Sequence, residues 1–305
     1  MKVSLVGTVK NAGNAVDAFL RSLRAQTRAP DEVVIVDGGS TDGTLEALEA
    51  AEGITVISEP GANIARGRNV AIRAAAHGVI AVTDPDCAMA PDWLERIVAP
   101  LDGGADVAMG FYRPAPASFF EACAATLVKE ADEFDDNSFM PSARSVAFRR
   151  EAIEAAGGYP EDLDFGEDMS VNHRWRELGL RMEFVPEALV WWPVRPTLAA
   201  TWRQYANYAE GDAVAGMHPR RHALRASVYL AAPRLWRRGG KVRRAALLTA
   251  AFLYAYRPIN RAWRTFEGRP LDRATSMFAV PALMAFVDAA KLTGYVRGRM
   301  RGRRP

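Results

Sequence analysis

Cysteine is scarce in this chain: Cys87 and Cys123 are the two present among 305 residues. Two thiols build neither a disulfide framework nor a four-cysteine metal site, so a reducing, cytoplasmic setting is expected. Histidine is nearly as sparse, with four. His218 and His222 stand four apart without a third ligand in view, which points to a solvated basic helix rather than zinc. No Gly-x-Gly-x-x-Gly follows the first apolar run and no Gly-x4-Gly-Lys-Ser/Thr occurs, which argues against a dinucleotide oxidoreductase or a P-loop NTPase. The N-terminal apolar run from Val3 to Val9 lacks a small-residue cleavage site, so a buried strand is expected there and not a signal peptide. Internal repeats and low-complexity segments are absent as well.

Acidic residues are short in one region. Residues 213–305 hold 20 Lys+Arg against 3 Asp+Glu, net +17, whereas residues 1–212 carry net −14 within an overall +3. The composition is otherwise ordinary for a globular chain, 49% hydrophobic and 25% charged, and the length suits roughly two domains. The charge step sets the expected boundary: an acidic body over 1–212, then a basic helical region over 213–305. Such a tail suits a polyanion, either a nucleic acid or an anionic membrane surface.

In the body, runs rich in β-branched residues alternate with helical patterns. Val3–Val9, Glu32–Asp37, Ile54–Ser58, Val79–Thr83 and Asp106–Phe111 are predicted strands. Ala15, Val16, Phe19, Leu20 and Leu23 recur at helical spacing between the first two, and Leu45, Leu48 and Ala51 between the next two. The alternation predicts an α/β fold with a mostly parallel, Rossmann-like sheet flanked by helices. Ligands gather beyond the carboxyl ends of such strands.

Two of those strand ends carry chemistry. After the second comes Asp37-Gly38-Gly39-Ser40-Thr41-Asp42-Gly43-Thr44, where glycines permit close backbone approach and a helix start offers N–H groups to an anion; a plain strand-to-helix turn with a cap fits the same residues. After the fourth comes Thr83-Asp84-Pro85-Asp86-Cys87, with two carboxylates one residue apart. A hard divalent cation, Mg²⁺ or Mn²⁺, relieves their repulsion while keeping coordination sites for water and phosphate oxygens; a solvated acidic turn is the other reading.

VDGGSTDGT, ARGRN, TDPDC with PDWLERIV, and GGYPEDLDFGEDMSVNHRWRELG, in that order and spacing, resemble a family 2 glycosyltransferase of GT-A fold, from about Met1 to Asp212. The resemblance implies transfer of a sugar from a nucleotide-diphosphate sugar to an acceptor hydroxyl with inversion. It places Thr8, Asp37, Gly38, Arg68 and Asp84 on the donor nucleotide, Asp84 and Asp86 on the metal, and Asp168 as general base with Glu167 in support. The sequence departs from the family pattern at Gly38, where many members carry an acidic residue, and at Ala188–Pro193, where many have a metal-binding histidine. His173 lies about 140° around its helix from Asp168 and is expected to be structural.

Trp191, Trp192, Trp202, Arg203, Gln204, Tyr205 and Tyr208 resemble the acceptor side of family members that act on saccharides or lipid-linked substrates, although large aromatics also serve ordinary packing. Ala245–Tyr256 and Ala274–Val287 are apolar runs too short to span a bilayer, flanked by arginines, and the chain ends RGRMRGRRP. Basic flanks beside apolar helices predict a peripheral or monotopic attachment to the cytoplasmic side of an anionic membrane. A helical hairpin packed on the catalytic part is the alternative. Nucleic acid is not expected, since it has no use for the apolar runs. Two functions stay open: a metal-dependent inverting glycosyltransferase, or a nucleotide-sugar or nucleic-acid binding protein with a degenerate site.

Overall fold

The computed structural model describes residues 1–135 and 137–302. The chain forms two compact units, Met1–Ala115 with Glu130–Pro193, and Pro116–Lys129 with Val194–Pro305. The charge step at Asp212 falls inside a helix of the second unit, whose longer segment begins earlier, at Val194. Of the basic ending, Arg303, Arg304 and Pro305 lie outside the described residues.

In the first unit, β1 (Val3–Val9), α1 (Ala15–Arg24), β2 (Glu32–Asp37), α2 (Thr44–Glu49), β3 (Thr55–Ser58), α3 (Ile64–Ala74) and β4 (Val79–Val82) follow the expected alternation. β1 and β4 are buried at every position, as strands covered on both faces must be, while edge strand β3 keeps exposed positions. Then come β5 (Ala88–Met89), α4 (Trp93–Asp102), β6 (Val107–Ala115) and, after a segment that includes α5 (Phe119–Ala125) of the second unit, β7 (Val146–Arg149), α6 (Arg150–Ala155), α7 (Glu167–Glu177) and β8 (Met182–Pro193).

The strands form one sheet in the order β3-β2-β1-β4-β7-β6-β8-β5. β3, β2, β1 and β4 are parallel, and so are β6 and β8, but β7 runs antiparallel to both β4 and β6, and β5 antiparallel to β8. Four of the seven strand pairings among the described residues are parallel, in line with the mostly parallel sheet that the sequence predicted, and β7 and β5 make the sheet mixed. A bulge between Gly110 and Phe111 shifts the β6–β8 register, so that β8 residues 189–193 pair with β6 residues 111–115. The core runs through Val6, Val34, Ile80, Val82, Met109, Phe111, Phe139, Phe148 and Trp175.

The second unit is helical: α5, α8 (Leu198–Val214), α9 (Pro219–Arg238), α10 (Lys241–Thr265) and α11 (Pro270–Arg301). Its core gathers Cys123, Val194, Ala262, Phe266, Val280, Leu283, Met284 and Val287. α8 and α11 approach so closely that a Cβ at Gly294 would lie 1.9 Å from the Ala206 carbonyl oxygen. Both C-terminal helices outrun the apolar runs seen in the sequence. α11 is long and apolar enough to cross a bilayer, which corrects the expectation that its run is too short, yet several of its apolar residues are buried in the unit's own core. His222 corrects a second expectation. It is buried, bonded through Nε2 to Asp212 Oδ2 at 2.9 Å and stacked on Tyr295, so it is not solvated.

Candidate active site

The motifs converge where β1, β2 and β4 end. Asp37 closes β2 fully buried, and its Oδ1 accepts the Gly39 and Ser40 N–H groups at 2.9 and 2.8 Å. Asp42 accepts from Thr44 and from the Gly13 N–H, and Asn11 accepts from the Thr41 N–H, tying the loops after β1 and β2 together. The loop's own carboxylates thus engage N–H groups that the sequence offered to an anion. Asp37 Oδ2, by contrast, is buried with no hydrogen-bond partner. Gly38 follows with its N–H on the Val9 carbonyl, and a Cβ there would sit 3.2 Å from the Ala62 carbonyl oxygen, so the loop is already tight.

Thr8, buried at the end of β1, donates to the Val36 carbonyl at 3.1 Å. α3 crosses directly over it: a Cβ on Gly67 would lie 2.1 Å from Thr8 Oγ1, so glycine is required for the approach. That approach delivers the next residue, Arg68, into the interior at 2% exposure. Arg68 Nη2 donates to Asp84 Oδ1 at 2.9 Å and Nη1 pairs with Glu167. Burial opposes its charge, but Asp84 and Glu167 outweigh that and hold the guanidinium protonated, while the guanidinium itself lies over the Tyr159 ring. One buried cation therefore ties the TDPDC loop to the GED helix start.

α7 begins behind Gly166, and Glu167 and Asp168 fill its first turn, where the helix dipole favours negative charge. Burial pushes the Glu167 carboxyl up against the pull of Arg68. Asp168 is half-buried; its Oδ1 accepts the Met169 N–H at 2.7 Å. Asn172, donating to the Pro141 carbonyl, and Trp175, donating to the Ala152 carbonyl, anchor the helix. The loop ahead of α7 is pinned to α3 by Asn69, whose amide exchanges hydrogen bonds with the Tyr159 backbone at 2.8 and 2.9 Å. His173 is exposed on α7.

Asp84 and Asp86 are both half-buried, and Asp86 Oδ1 accepts from the Cys87 thiol at 3.3 Å. Among the described residues no group of three or more His, Cys, Asp or Glu side chains converges as a metal cage. Two carboxylates on one loop fit Mg²⁺ or Mn²⁺, which take the rest of their shell from water and phosphate, and do not fit zinc. Four of the six buried side-chain atoms without a partner among the described residues, Asp37 Oδ2, Arg68 Nε, Thr83 Oγ1 and Trp192 Nε1, belong to the loops, the helix and the strand end described here. Orphaned polar atoms are expensive unless a ligand satisfies them, so their concentration here makes these loops the candidate site.

Trp191 and Trp192 lie on β8, with Trp191 paired to Ala88 and Trp192 buried. Trp202, Arg203, Gln204 and Tyr205 belong to the second unit. Within it Trp202 packs edge-on against Phe286, Tyr205 lies beneath the Lys291 ammonium, Gln204 donates to the Tyr208 hydroxyl and Arg203 is exposed. Sequence reasoning missed Arg144, Tyr159, Asn69 and Thr83. Their contacts join residues some 30 to 90 positions apart, or, for Thr83, consist in a missing partner, so the runs that hold Asn69, Tyr159 and Thr83 gave no sign of their roles and nothing marked Arg144.

A glycosyl transferase family 2 model matches residues 4–155. The chain is 27% identical over 212 residues to glycosyltransferase AglE of Haloferax volcanii, covering 64% of this chain and 67% of that protein. It is 28% identical over 237 residues to the succinoglycan biosynthesis protein ExoA of Rhizobium meliloti, covering 67% and 66%. The match thus spans about two thirds of either relative's length. Among solved structures, the mannosyltransferase PcManGT from Pyrobaculum calidifontis, in complex with GDP-Man and Mn²⁺, superposes with a TM-score of 0.59 over 97% of this chain and 86% of its own, at 22% identity. That likeness shows a shared GT-A fold.

Proposed function

We propose, on the premise that the chain belongs to glycosyl transferase family 2, that it transfers a sugar from a nucleotide-diphosphate sugar to a hydroxyl of a saccharide or lipid-linked acceptor, inverting the anomeric centre. The observation that carries this reading is the Asp84–Arg68–Glu167 bridge, which ties the first of the two metal-type carboxylates and the α7 helix start to one buried cation. Asp37 and Thr8 line the nucleotide end, and the unsatisfied Asp37 Oδ2 is suited to accept a donor N–H or O–H. Arg68, committed to two carboxylates, holds Asp84 and Glu167 in place. Asp84 and Asp86 would hold Mg²⁺ or Mn²⁺; a bound divalent cation supplies charge for the diphosphate as it departs.

The reaction is one displacement. The acceptor oxygen bonds to the anomeric carbon as the bond to the diphosphate oxygen breaks, and that electron pair leaves with the nucleoside diphosphate. The acceptor proton passes to Asp168, fixed at the first turn of a rigid helix. Relatives named for succinoglycan and other glycosyl transfer support a saccharide acceptor.

The second unit supports peripheral attachment to an anionic membrane, on the cytoplasmic side where nucleotide sugars are made. Its basic excess sits beside apolar side chains that the fold leaves outside, among them Leu224, Leu230, Val242 and Leu253, the last at 66% exposure. Large apolar groups held open to water are costly and favour insertion at an interface. The function is tested by mixing the protein with UDP-, GDP- and dTDP-sugars, Mn²⁺ and a saccharide or lipid-linked acceptor. Release of a nucleoside diphosphate is expected. Donor binding without release under any of these conditions would favour a degenerate binding protein.

A further inference from the structure

Between α6 and α7 the chain runs through residues 156–166 without helix or strand. Backbone groups in such a segment have no ladder to satisfy them, so side chains must. Asn69 of α3 meets that need at Tyr159, a residue only 3% exposed. Its Oδ1 accepts the Tyr159 N–H at 2.9 Å, while Nδ2 donates to the Tyr159 carbonyl at 2.8 Å and to Glu161 Oε1 at 2.9 Å. One amide side chain, carrying donor and acceptor together, thus takes the place of a neighbouring strand. The approach is close, since Gly158 has φ +80° and a Cβ there would lie 3.1 Å from Asn69 Oδ1. At the other end of α3 the N-cap residue Asn63 donates to the Glu161 carbonyl at 2.8 Å, so one helix holds the loop at two points.

What hangs from this attachment is the start of α7. The chain turns through the Leu163 N–H to Pro160 carbonyl bond and through Gly166, at φ +82°, into Glu167 and Asp168. α3 is itself fixed at the nucleotide end, because Gly67 rests on Thr8 and Arg68 pairs with Asp84 and Glu167. The Arg68 guanidinium lies 5.4 Å from the centre of the Tyr159 ring, so successive residues of α3 grip the ring and the backbone of one residue. Arg68 restrains Glu167 directly. Asp168, about 100° further around α7, bonds to the Met169 N–H of its own helix, so its position follows from how the loop delivers that helix.

We propose that Asn69 is a positioning residue for the transfer step: by holding the Tyr159 backbone on α3, it sets where α7 presents the Asp168 carboxylate to the donor. This rests on the reading of Asp168 as the base and adds a residue that acts through it. α3 then carries two duties side by side, Arg68 ordering the metal-type loop and Asn69 ordering the base.

Kinetics and calorimetry on the full chain with saturating Mn²⁺ test this, with UDP-glucose, GDP-mannose and dTDP-rhamnose as donors and release of the nucleoside diphosphate as the readout. Water serves as the acceptor: its oxygen bonds to the anomeric carbon as the bond to the diphosphate oxygen breaks, and its proton passes to Asp168. For whichever donor is turned over, Asn69→Ala is expected to lower kcat by about 10- to 100-fold, the range for a reacting group displaced by about 1 Å, while the donor Kd stays within about twofold at unchanged stoichiometry. Asn69→Asp keeps an acceptor for the Tyr159 N–H but turns a carboxylate toward the Tyr159 carbonyl and Glu161, so it should lose as much. In the Asp168→Asn background, Asn69→Ala should lower the remaining release by less than about twofold, because a residue that acts by aiming Asp168 has nothing left to aim. A merely structural role would repeat its full loss there. Unchanged kcat in Asn69→Ala, a matching loss of donor affinity, or full additivity with Asp168→Asn overturns the inference. If the unaltered chain releases no nucleoside diphosphate, the donor reading falls and the inference with it; release that survives Asp168→Asn removes the base assignment and the inference together; release that needs Asp168 and not Asn69 removes the inference alone. Thermal midpoints near that of the unaltered chain identify variants that still fold, and Asn69→Asp carries the test if Asn69→Ala does not.

Discussion

Two adjacent carboxylates open α7 and meet different surroundings. Glu167 is enclosed with Arg68, and Asp168 stands half-buried one residue on. Asp168→Asn keeps the shape and removes proton acceptance, so turnover should fall by about 10² or more while donor affinity is retained; unchanged turnover would move the base elsewhere. Glu167→Gln strands a buried guanidinium beside Asp84 alone, so the main effect there should be lost stability, on the order of 3 kcal/mol in a denaturant melt. The motif residues Asp37, Asp84, Asp86 and Asp168 stood out because each closes or follows a strand or opens a helix in a recognisable run, and Arg68, inside α3, because it stands in the run ARGRN. Arg144 did not, since nothing in PSARSV reveals that Tyr112 and Trp192 will flank it. That Arg68 is consumed internally was likewise hidden, because burial and pairing depend on how α3 crosses β1.

Among the elements, α11 carries a buried polar hub. Asp288 accepts from Arg225 Nε at 2.7 Å, Tyr254 at 2.7 Å and Tyr229 at 3.0 Å, which staples α9 and α10 to α11. Asp288→Ala leaves Arg225 buried without its partner and should destabilise the second unit by about 3 kcal/mol in chemical unfolding; a loss below about 1 kcal/mol would mean that the hub is not what joins these helices. One turn away, burial, with Arg225 and Arg221 adding to it, pushes the Lys291 ammonium down to about 8. A lysine whose folded value lies below its unfolded one gives up its proton first in the native state, so the strain of burying its charge persists below about pH 8 and is relieved as pH rises toward 10.5. Thermal midpoints should therefore rise between about pH 8 and 10, more than in Lys291→Met, and parallel profiles for the two would refute this. The sequence exposed β1, β2 and β4 through their unbroken β-branched runs. It did not expose β5, only two residues long, or the antiparallel β7, whose four residues carry no directional signal. α10 and α11 extend well past their apolar runs because alanine and arginine continue a helix without contributing to an apolar pattern.

For the whole molecule, the basic excess of residues 213–305 and the open apolar side chains of α9 and α10 predict binding to anionic vesicles that weakens with salt. In flotation, the full chain should rise with phosphatidylserine-containing vesicles and stay behind with neutral ones, and charge reversal at Arg237, Arg238, Arg243 and Arg244 should abolish the effect. Equal flotation with both vesicle types, or none with either, contradicts the attachment. The claim on which everything else rests is that a nucleotide-diphosphate donor sits at the ends of β1, β2 and β4 through a metal held by Asp84 and Asp86. Thermal stabilisation by UDP-, GDP- and dTDP-sugars with Mn²⁺, run in parallel on the unaltered chain and on Asp86→Ala, tests it most directly, because a ligand bound only by the folded state raises stability by RT ln(1 + [L]/Kd). One nucleotide should raise the midpoint of the unaltered chain, and chelation or Asp86→Ala should remove the shift while leaving the unliganded midpoint in place. A shift equal in both proteins and indifferent to chelation, or no shift with any nucleotide, would contradict the account.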